Sequence, residues 1–321
     1  MREETAFFHG CIEVEETRYG LIPRRFTKAQ LAYWDRIGMV RAARAHSLAG
    51  TQIRLFTEET EISFSYRVLS VCGEKMTFDL YEGERLTDSA TLPSQNLEGR
   101  VEFALSGHDR EVPVTVYLPF TAELAFSDFQ LGEKTKPVGK DGYRGRLLWL
   151  GDSISQGMHA RHPALTLTGI LSRAWNYEIV NQGVGGCGYK DICQDFTYGP
   201  WHPDNLVLVL GTNDTGPAQA AWNPYREQVR ACLDRARKSF APEKIRLISP
   251  FWRGDRMKPE IGESLGQIVR LLREEARIRR IPFIDGERVS PHCSDLYWDE
   301  RLHPNDAGFA AIGEALRELM L

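Results

Sequence analysis

Ser153 follows the apolar run Leu147-Leu148-Trp149-Leu150 and stands in Gly151-Asp152-Ser153-Ile154-Ser155-Gln156-Gly157. A serine just beyond a buried strand, at a turn eased by glycine, presents its hydroxyl and its own backbone N–H at the start of the next helix. The same residues also read as a strand-to-helix cap made by Asp152 or Ser153. A second run ends in Asn181-Gln182-Gly183-Val184-Gly185-Gly186-Cys187-Gly188, with four glycines within six residues. Backbone amides in such a loop can approach a ligand closely, which suits a phosphate cradle or an oxyanion hole. The loop lacks the Lys-Ser/Thr ending of a P-loop, and its spacing is not that of a dinucleotide fingerprint, which argues against nucleotides. A third run, 205–210, ends in Gly211-Thr212-Asn213-Asp214. The Asn213 amide can donate to a developing oxyanion without titrating, and Asp214 can fix the loop by accepting backbone N–H groups. An Asn-Asp pair is equally the mark of an Asx-turn.

His303 stands in Trp298-Asp299-Glu300-Arg301-Leu302-His303-Pro304-Asn305-Asp306. Pro304 disfavours helical geometry at His303 and so holds the imidazole in a loop, from which it can face the carboxyl edge of a sheet. Glu300 and Asp299 lie three and four residues upstream. A carboxylate there can accept the Nδ1 proton and fix the tautomer, leaving Nε2 to take a proton from a serine hydroxyl. The other seven histidines (His9, His46, His108, His159, His162, His202 and His292) lack this combination of near acid, following proline and position before the final helix. His159 and His162, close to Ser153 in sequence, are alternatives as substrate contacts. His202 reads as a loop residue.

These stretches need a scaffold that brings them to one edge. Beyond residue 145, compact apolar runs (147–150, 178–180, 206–210, 245–248 and 282–284) alternate with stretches of helical period (163–175, 224–240, 259–279 and 305–320). Repeated strand-then-helix units predict a parallel sheet covered on both faces, because parallel strands need crossover helices. Ligands in such sheets gather at the carboxyl ends of the strands. The first 131 residues read differently. Short β-rich runs (52–56, 61–69, 76–81, 101–105, 112–118 and 123–129), separated by turn signals, predict an all-β sandwich or jelly roll. Ile62, Phe64, Tyr66 and Val68 alternate with the period of a strand that has one buried face. Residues 57–60 predict a tight hairpin between the strands flanking them, and 28–44 has apolar spacing nearer that of a helix, with an irregular excursion as the alternative. Segment 132–145 holds five Gly or Pro and several Lys, the composition of a linker. The expected organisation is a β-sandwich over 1–131, a linker over 132–145 and an α/β unit over 146–321.

Bulk composition agrees with two folded domains: 321 residues, 42% hydrophobic, 26% charged and 10% aromatic. Forty Lys and Arg against forty-four Asp and Glu leave a net charge of −4. That balance supplies no basic field for polyphosphate and argues against a nucleic-acid partner. The acidic N-terminal stretch has no apolar core of signal-peptide length, and no window approaches eighteen uncharged apolar residues. The expectation is a cytoplasmic protein with no membrane partner. Six cysteines without a C-x-x-C pair are expected to be small buried fillers rather than metal ligands or disulfides.

Taken together, the four blocks resemble the SGNH, or GDSL-type, hydrolase superfamily over residues 146–321. Gly151-Asp152-Ser153-Ile154 is similar to its nucleophile block and Gly183 to Gly186 to its glycine block. Gly211-Thr212-Asn213-Asp214 is similar to the G-x-N-D block, and the stretch through His303-Pro304 to the histidine block. Phe78-Asp79-Leu80-Tyr81 resembles the G-x-D-L-Y-type motif in the β-sandwich domain of some two-domain members, with Thr77 where that motif has glycine. The resemblance implies an α/β fold: a three-layer α/β/α parallel sheet of flavodoxin-like type, preceded by the sandwich. It implies Ser153 as nucleophile, His303 as base, and an oxyanion hole made by the Ser153 and Gly186 N–H groups and the Asn213 amide, with no metal or organic cofactor. The family pattern places an acid three residues before the histidine. Counting favours Glu300, a local bulge would substitute Asp299, and with neither in reach a backbone carbonyl would orient the ring of a dyad.

The activity implied is hydrolysis of a small-molecule ester with a short acyl group, chiefly acetyl, with an acetylated sugar as the candidate substrate. Acyl transfer to an alcohol on the same residues, or an idle carbohydrate-binding protein, are the alternatives. Tyr189, Trp201, Phe251 and Trp252 are candidates to stack on sugar rings, against a plain packing role. The α/β-hydrolase elbow is not matched, because Ser155 stands where its second glycine is required.

Overall fold

The alternation Ile62, Phe64, Tyr66 becomes one wall of a β-sandwich in the computed structural model, which describes residues 3–106, 112–191, 198, 201–215, 222–299 and 301–319. The chain divides into two compact units. The first is Met1–Arg144 with the short segments His162–Ala164 and Glu178–Asn181, and the second is Gly145–Arg161, Leu165–Tyr177 and Gln182–Leu321. His108, Cys193 and Glu300 lie outside the described residues. Among the described residues, no helix is long and apolar enough to cross a membrane.

The first unit contains β1 (Phe8–His9), β2 (Glu13–Thr17), β3 (Gly20–Arg24), α1 (Lys28–Ile37), α2 (Met39–His46), β4 (Gln52–Phe56), β5 (Glu61–Val71), β6 (Lys75–Glu82), β7 (Arg85–Pro93), β8 (Glu98–Ala104), β9 (Val114–Tyr117), β10 (Ala122–Gln130) and β11 (Lys136–Pro137). One sheet runs β1-β4-β9-β6-β7, with β11 also on β4; the other runs β2-β3-β10-β5-β8. The core lies between them. Phe64 of β5 meets Phe126 of β10 edge-on at 5.6 Å and Phe78 of β6, in the opposite sheet, at 6.0 Å.

Three expectations differ from this arrangement. Residues 57–60 do not close a hairpin: β4 pairs with β1, β9 and β11, whereas β5 pairs with β10 and β8. The chain crosses from one sheet to the other there, so Ile53 and Leu55 face the same core as Ile62 and Phe64 from the other wall. Segment 28–44 is two helices, broken at Gly38 with φ +135°. Within 132–145, Lys136 and Pro137 form a short edge strand on β4, a position where proline's missing N–H costs no ladder bond.

The second architecture is α/β. Its elements are β12 (Gly145–Gly151), α3 (Ser153–Gln156), α4 (Leu167–Trp175), β13 (Tyr177–Gly183), β14 (Asn205–Val209), α5 (Trp222–Ser239), β15 (Ile245–Ile248), α6 (Pro259–Arg279), β16 (Phe283–Ile284) and α7 (Asp306–Leu319). The sheet order is β13-β12-β14-β15-β16. The pairs β12–β14, β14–β15 and β15–β16 are parallel. Strand order reverses at β12, so the crevice outside the carboxyl ends of β12 and β14 is the topological switch point where such sheets hold ligands. Gly151 and Val209 are paired in register, so the chain leaves both strands at the same level of that edge. Helix α4 packs on α7, and α5 on α6.

Candidate active site

Ser153 is the first residue of α3 and is buried. Asp152, just before it, accepts the Ile154 N–H on Oδ1 at 3.0 Å and so caps the short helix. The helix begins directly against β12. A Cβ on Gly151 would lie 1.9 Å from Ser155 Oγ, so only glycine lets the strand turn into the helix here. Ser155, the residue that distinguishes this turn from an α/β-hydrolase elbow, is fully buried and accepts the Trp149 Nε1–H at 2.9 Å.

Burial pushes the Asp152 carboxyl up to about 7; the charge of Asp214 adds to this, while the backbone N–H groups of Ile154 and Ser155 oppose it. The unfolded chain releases this proton near 3.8 and the native state keeps it until about 7, so stability should fall as pH rises between those values and level off above. Asp152→Asn keeps the capping oxygen and removes the titration. Thermal melts across pH 4–8 should show wild type losing Tm relative to the variant up to about pH 7, and a constant difference would contradict the assignment.

His303 lies across from the serine. Its Nε2 is 3.0 Å from Ser153 Oγ, and its Nδ1 is 3.0 Å from Asp299 Oδ2. The other Asp299 oxygen accepts three backbone N–H groups, from Arg301 (3.1 Å), Leu302 (2.6 Å) and His303 (3.0 Å). The turn these bonds close shortens the path between acid and imidazole, so an aspartate four residues upstream reaches the ring. Burial works against the charge of Asp299, but the N–H groups of Leu302 and His303 and the imidazole more than offset it. They hold the carboxyl well below the usual range. Glu300, which counting favoured, lies outside the described residues; the carboxylate on the ring in the structure is that of Asp299.

The glycine loop is stitched to both neighbours. Val184 N–H donates to Gly151 O at 3.1 Å, and Gly185 N–H to Oε1 of Gln156 at 2.9 Å, on the same short helix as Ser153. Gly186 has φ +82° in the turn closed by Cys187 N–H on Val184 O, a conformation that glycine takes without strain. Asn213 Nδ2 donates to Cys187 O at 3.0 Å, joining the third block to the second. That bond uses one amide hydrogen, and the side chain has two. Asp214 accepts the Tyr189 N–H at 3.4 Å and fixes this loop, with its carboxyl raised to about 6 chiefly by burial. Ser153, His303 and Asp299 are thus bonded in line, and the loops that carry Gly186 and Asn213 are tied to one another and to the turn that carries Ser153. A hydroxyl, an imidazole and a carboxylate in line can pass a proton from serine to histidine without a change of position.

Tyr189, Trp201 and Phe251 are buried among core side chains, and Trp252 is half-buried with its ring against Tyr297 and His292. His162 Nδ1 is 2.8 Å from Asp79 in the first unit, and Asp79 also accepts the Ala164 N–H at 3.1 Å and the Ser89 hydroxyl at 2.8 Å. His202 is exposed. His159 lies at the site, its ring centre 4.7 Å from that of His303.

One pair was absent from the sequence reading. Arg253 and Asp255, both buried, bond through two parallel contacts of 2.6 and 2.9 Å. Arg253 also donates to Thr212 O at 3.0 Å, the carbonyl preceding Asn213, and Asp255 accepts from Arg301 at 3.3 Å in the histidine loop. The Arg253 guanidinium, foremost, holds the Asp255 carboxyl below its ordinary value. The available signal was an Arg-x-Asp just beyond the fourth apolar run, where a parallel sheet places its ligands.

The fold and this edge define a serine hydrolase of the SGNH type. The chain belongs to the GDSL-like lipase/acylhydrolase family, whose profile matches residues 149–311. No curated protein matches the sequence. Several solved structures share its fold. A salicylyl-acyltransferase, SsfX3, from a tetracycline biosynthetic pathway superposes with a TM-score of 0.72 at 16% identity, over 98% of this chain and 93% of its own. A Bacteroides ovatus protein described as a GDSL-like lipase gives 0.74 at 16% identity, over 98% and 95%. A family two carbohydrate esterase from Clostridium thermocellum, solved with cellohexaose, gives 0.59 at 14% identity, over 84% and 90%.

Proposed function

We propose that the protein hydrolyses short-chain acyl esters, acetyl above all, with an acetylated carbohydrate as its substrate. The observation that carries this reading is the line Asp299 Oδ2, His303 Nδ1, His303 Nε2, Ser153 Oγ, closed by two contacts of 3.0 Å. His303 takes the serine proton while the Ser153 oxygen attacks the ester carbonyl. The oxyanion of the tetrahedral intermediate is held by the Ser153 and Gly186 N–H groups and the second Asn213 amide hydrogen. His303 then protonates the departing alkoxide. In the second half a water, deprotonated by His303, attacks the acyl-serine carbonyl and releases the acid and Ser153.

The preference for a short acyl group is supported by the absence from the sequence of a long apolar, lid-like segment. The carbohydrate part is supported by the likeness of the two-unit architecture to carbohydrate esterases, which is a likeness of fold. Turnover of p-nitrophenyl acetate, longer p-nitrophenyl esters and acetylated sugars tests both parts. Asn213→Ala should lower kcat for the preferred ester by about 10²–10³-fold and change KM less, because the bond it removes strengthens only as charge develops. Products run with added alcohols separate the second reading: free acid marks a hydrolase, and a new ester marks an acyltransferase.

A further inference from the structure

His159 is one of four described non-glycine residues with positive φ, at +72°. It occupies the third position of a turn over residues 157–160, closed by Ala160 N–H on Gly157 O at 3.1 Å, where glycine or asparagine is the ordinary occupant. The turn is fixed on both sides. Met158 N–H donates to Ser153 O at 2.9 Å, and Arg161 N–H donates to Asp306 Oδ1 at 2.8 Å at the start of α7. A backbone conformation that disfavours a branching side chain persists only where its surroundings over-determine it, and such residues gather at ligand sites.

The side chain so placed has two rings beside it. Its imidazole is 4.7 Å from His303 and stacks nearly parallel, 16° and 5.8 Å, on the indole of Trp298. Trp298 is 57% exposed, the largest aromatic left open to solvent among the described residues. Burial first, then the neighbouring His303, keep the His159 imidazole below the ordinary histidine range. Two imidazoles can therefore sit side by side without two positive charges.

We propose that His159 and Trp298 form a platform for the alcohol part of the ester, receiving a six-membered ring carried on the departing oxygen. This rests on the esterase reading above. The carbonyl oxygen must point to the Gly186 and Asn213 donors, and the departing oxygen must face His303 Nε2, which protonates it. What lies beside His303 is therefore next to the alcohol. A flat face there suits a pyranose with its axial C–H groups or an aryl ring.

The test varies the alcohol with acetyl fixed: methyl acetate, phenyl acetate and monoacetylated methyl glucopyranoside. In His159→Gly and Trp298→Leu, kcat/KM for the ring-bearing esters should fall about tenfold more than for methyl acetate, through KM. His159→Gly should also raise Tm, because glycine accepts φ +72° without strain. A purely structural residue would lose stability and affect all three esters alike, and that result would overturn the proposal. Among the ring esters, the larger loss identifies the pyranoside or the aryl group as the natural occupant. A binding arm stands apart from turnover. Ser153→Ala should bind methyl glucopyranoside or phenol, by quenching of tryptophan fluorescence or by calorimetry, and Ser153→Ala with Trp298→Leu should bind neither. Equal binding by the two variants would overturn the platform even if the protein is an esterase. Binding lost with Trp298, in a protein that turns over no ester, would sink the esterase reading alone.

Discussion

Ser153→Ala should lower kcat on p-nitrophenyl acetate by about four to six orders of magnitude, up to roughly 8 kcal/mol of transition-state stabilisation, and leave the fold intact. The side-chain contact of Ser153 in the structure is with His303, while the helix it begins is held by Asp152 on Ile154 N–H and by Gln156 N–H on Asp152 O. Loss of one hydroxyl therefore removes the reacting atom without removing a structural bond of α3. Residual turnover should stay above the rate in water, because the oxyanion donors do not depend on the hydroxyl. An aryl phosphonofluoridate should label the wild type at one serine and the variant at none. Wild-type turnover by Ser153→Ala, or labelling that persists in it, would remove the nucleophile from this edge.

Asp299→Asn should cost about 10⁴-fold in kcat with little change in KM. The reason lies in the division of labour between the two carboxylate oxygens. Oδ1 holds three backbone N–H groups and can continue to do so as an amide oxygen, so the loop should keep its shape. The atom facing His303 Nδ1 becomes an NH₂ group, which forces the ring proton onto Nε2, where it can no longer accept from serine. Asp299→Ala should lose the turn as well as the tautomer and so lose stability. In the wild type the native carboxyl titrates below its unfolded value. Its stabilisation is thus present above about pH 4 and lost as pH falls through the lower native value, a decline Asp299→Asn should not share. Glu300→Gln is the control: a larger loss there than in Asp299→Asn would assign the orienting acid to Glu300.

Much of this is legible in the sequence alone. The strand–helix alternation beyond residue 145 located all five strands of the third sheet, and α6 matches its expected limits, because continuous apolar runs and helical period are strong local signals. The β7 strand was not seen. It lies at the edge of its sheet, and its run Arg85–Pro93 is largely exposed and polar, so no alternation marks it. The false hairpin at 57–60 has a similar origin. A short polar connection specifies that two strands are joined but not whether they share a sheet or face one another across a core. Within the site, Ser153 and Asn213 stand out by their places just beyond strand ends, and His303 by its near acid, its following proline and its place before the final helix. The Asp299 contact was harder to foresee, since three backbone bonds to Oδ1 set the loop length that brings Oδ2 to the ring, and no counting rule contains them. His159 was open as a substrate contact, but Trp298 and its pairing with His159 escaped, because that relation is one of ring geometry between segments 139 residues apart.

The Arg253–Asp255 pair places a constraint on how this enzyme can change. It sits between the loop that carries Asn213 and the loop that carries His303, doubly bonded and out of water. Deleting either charge strands the other, at a cost of about 3–5 kcal/mol, so neither loop can be remodelled alone without passing through a weakened intermediate. Chimeras that exchange the segment after β15 for a relative's should therefore carry the stretch before α7 with it, as one inherited cassette.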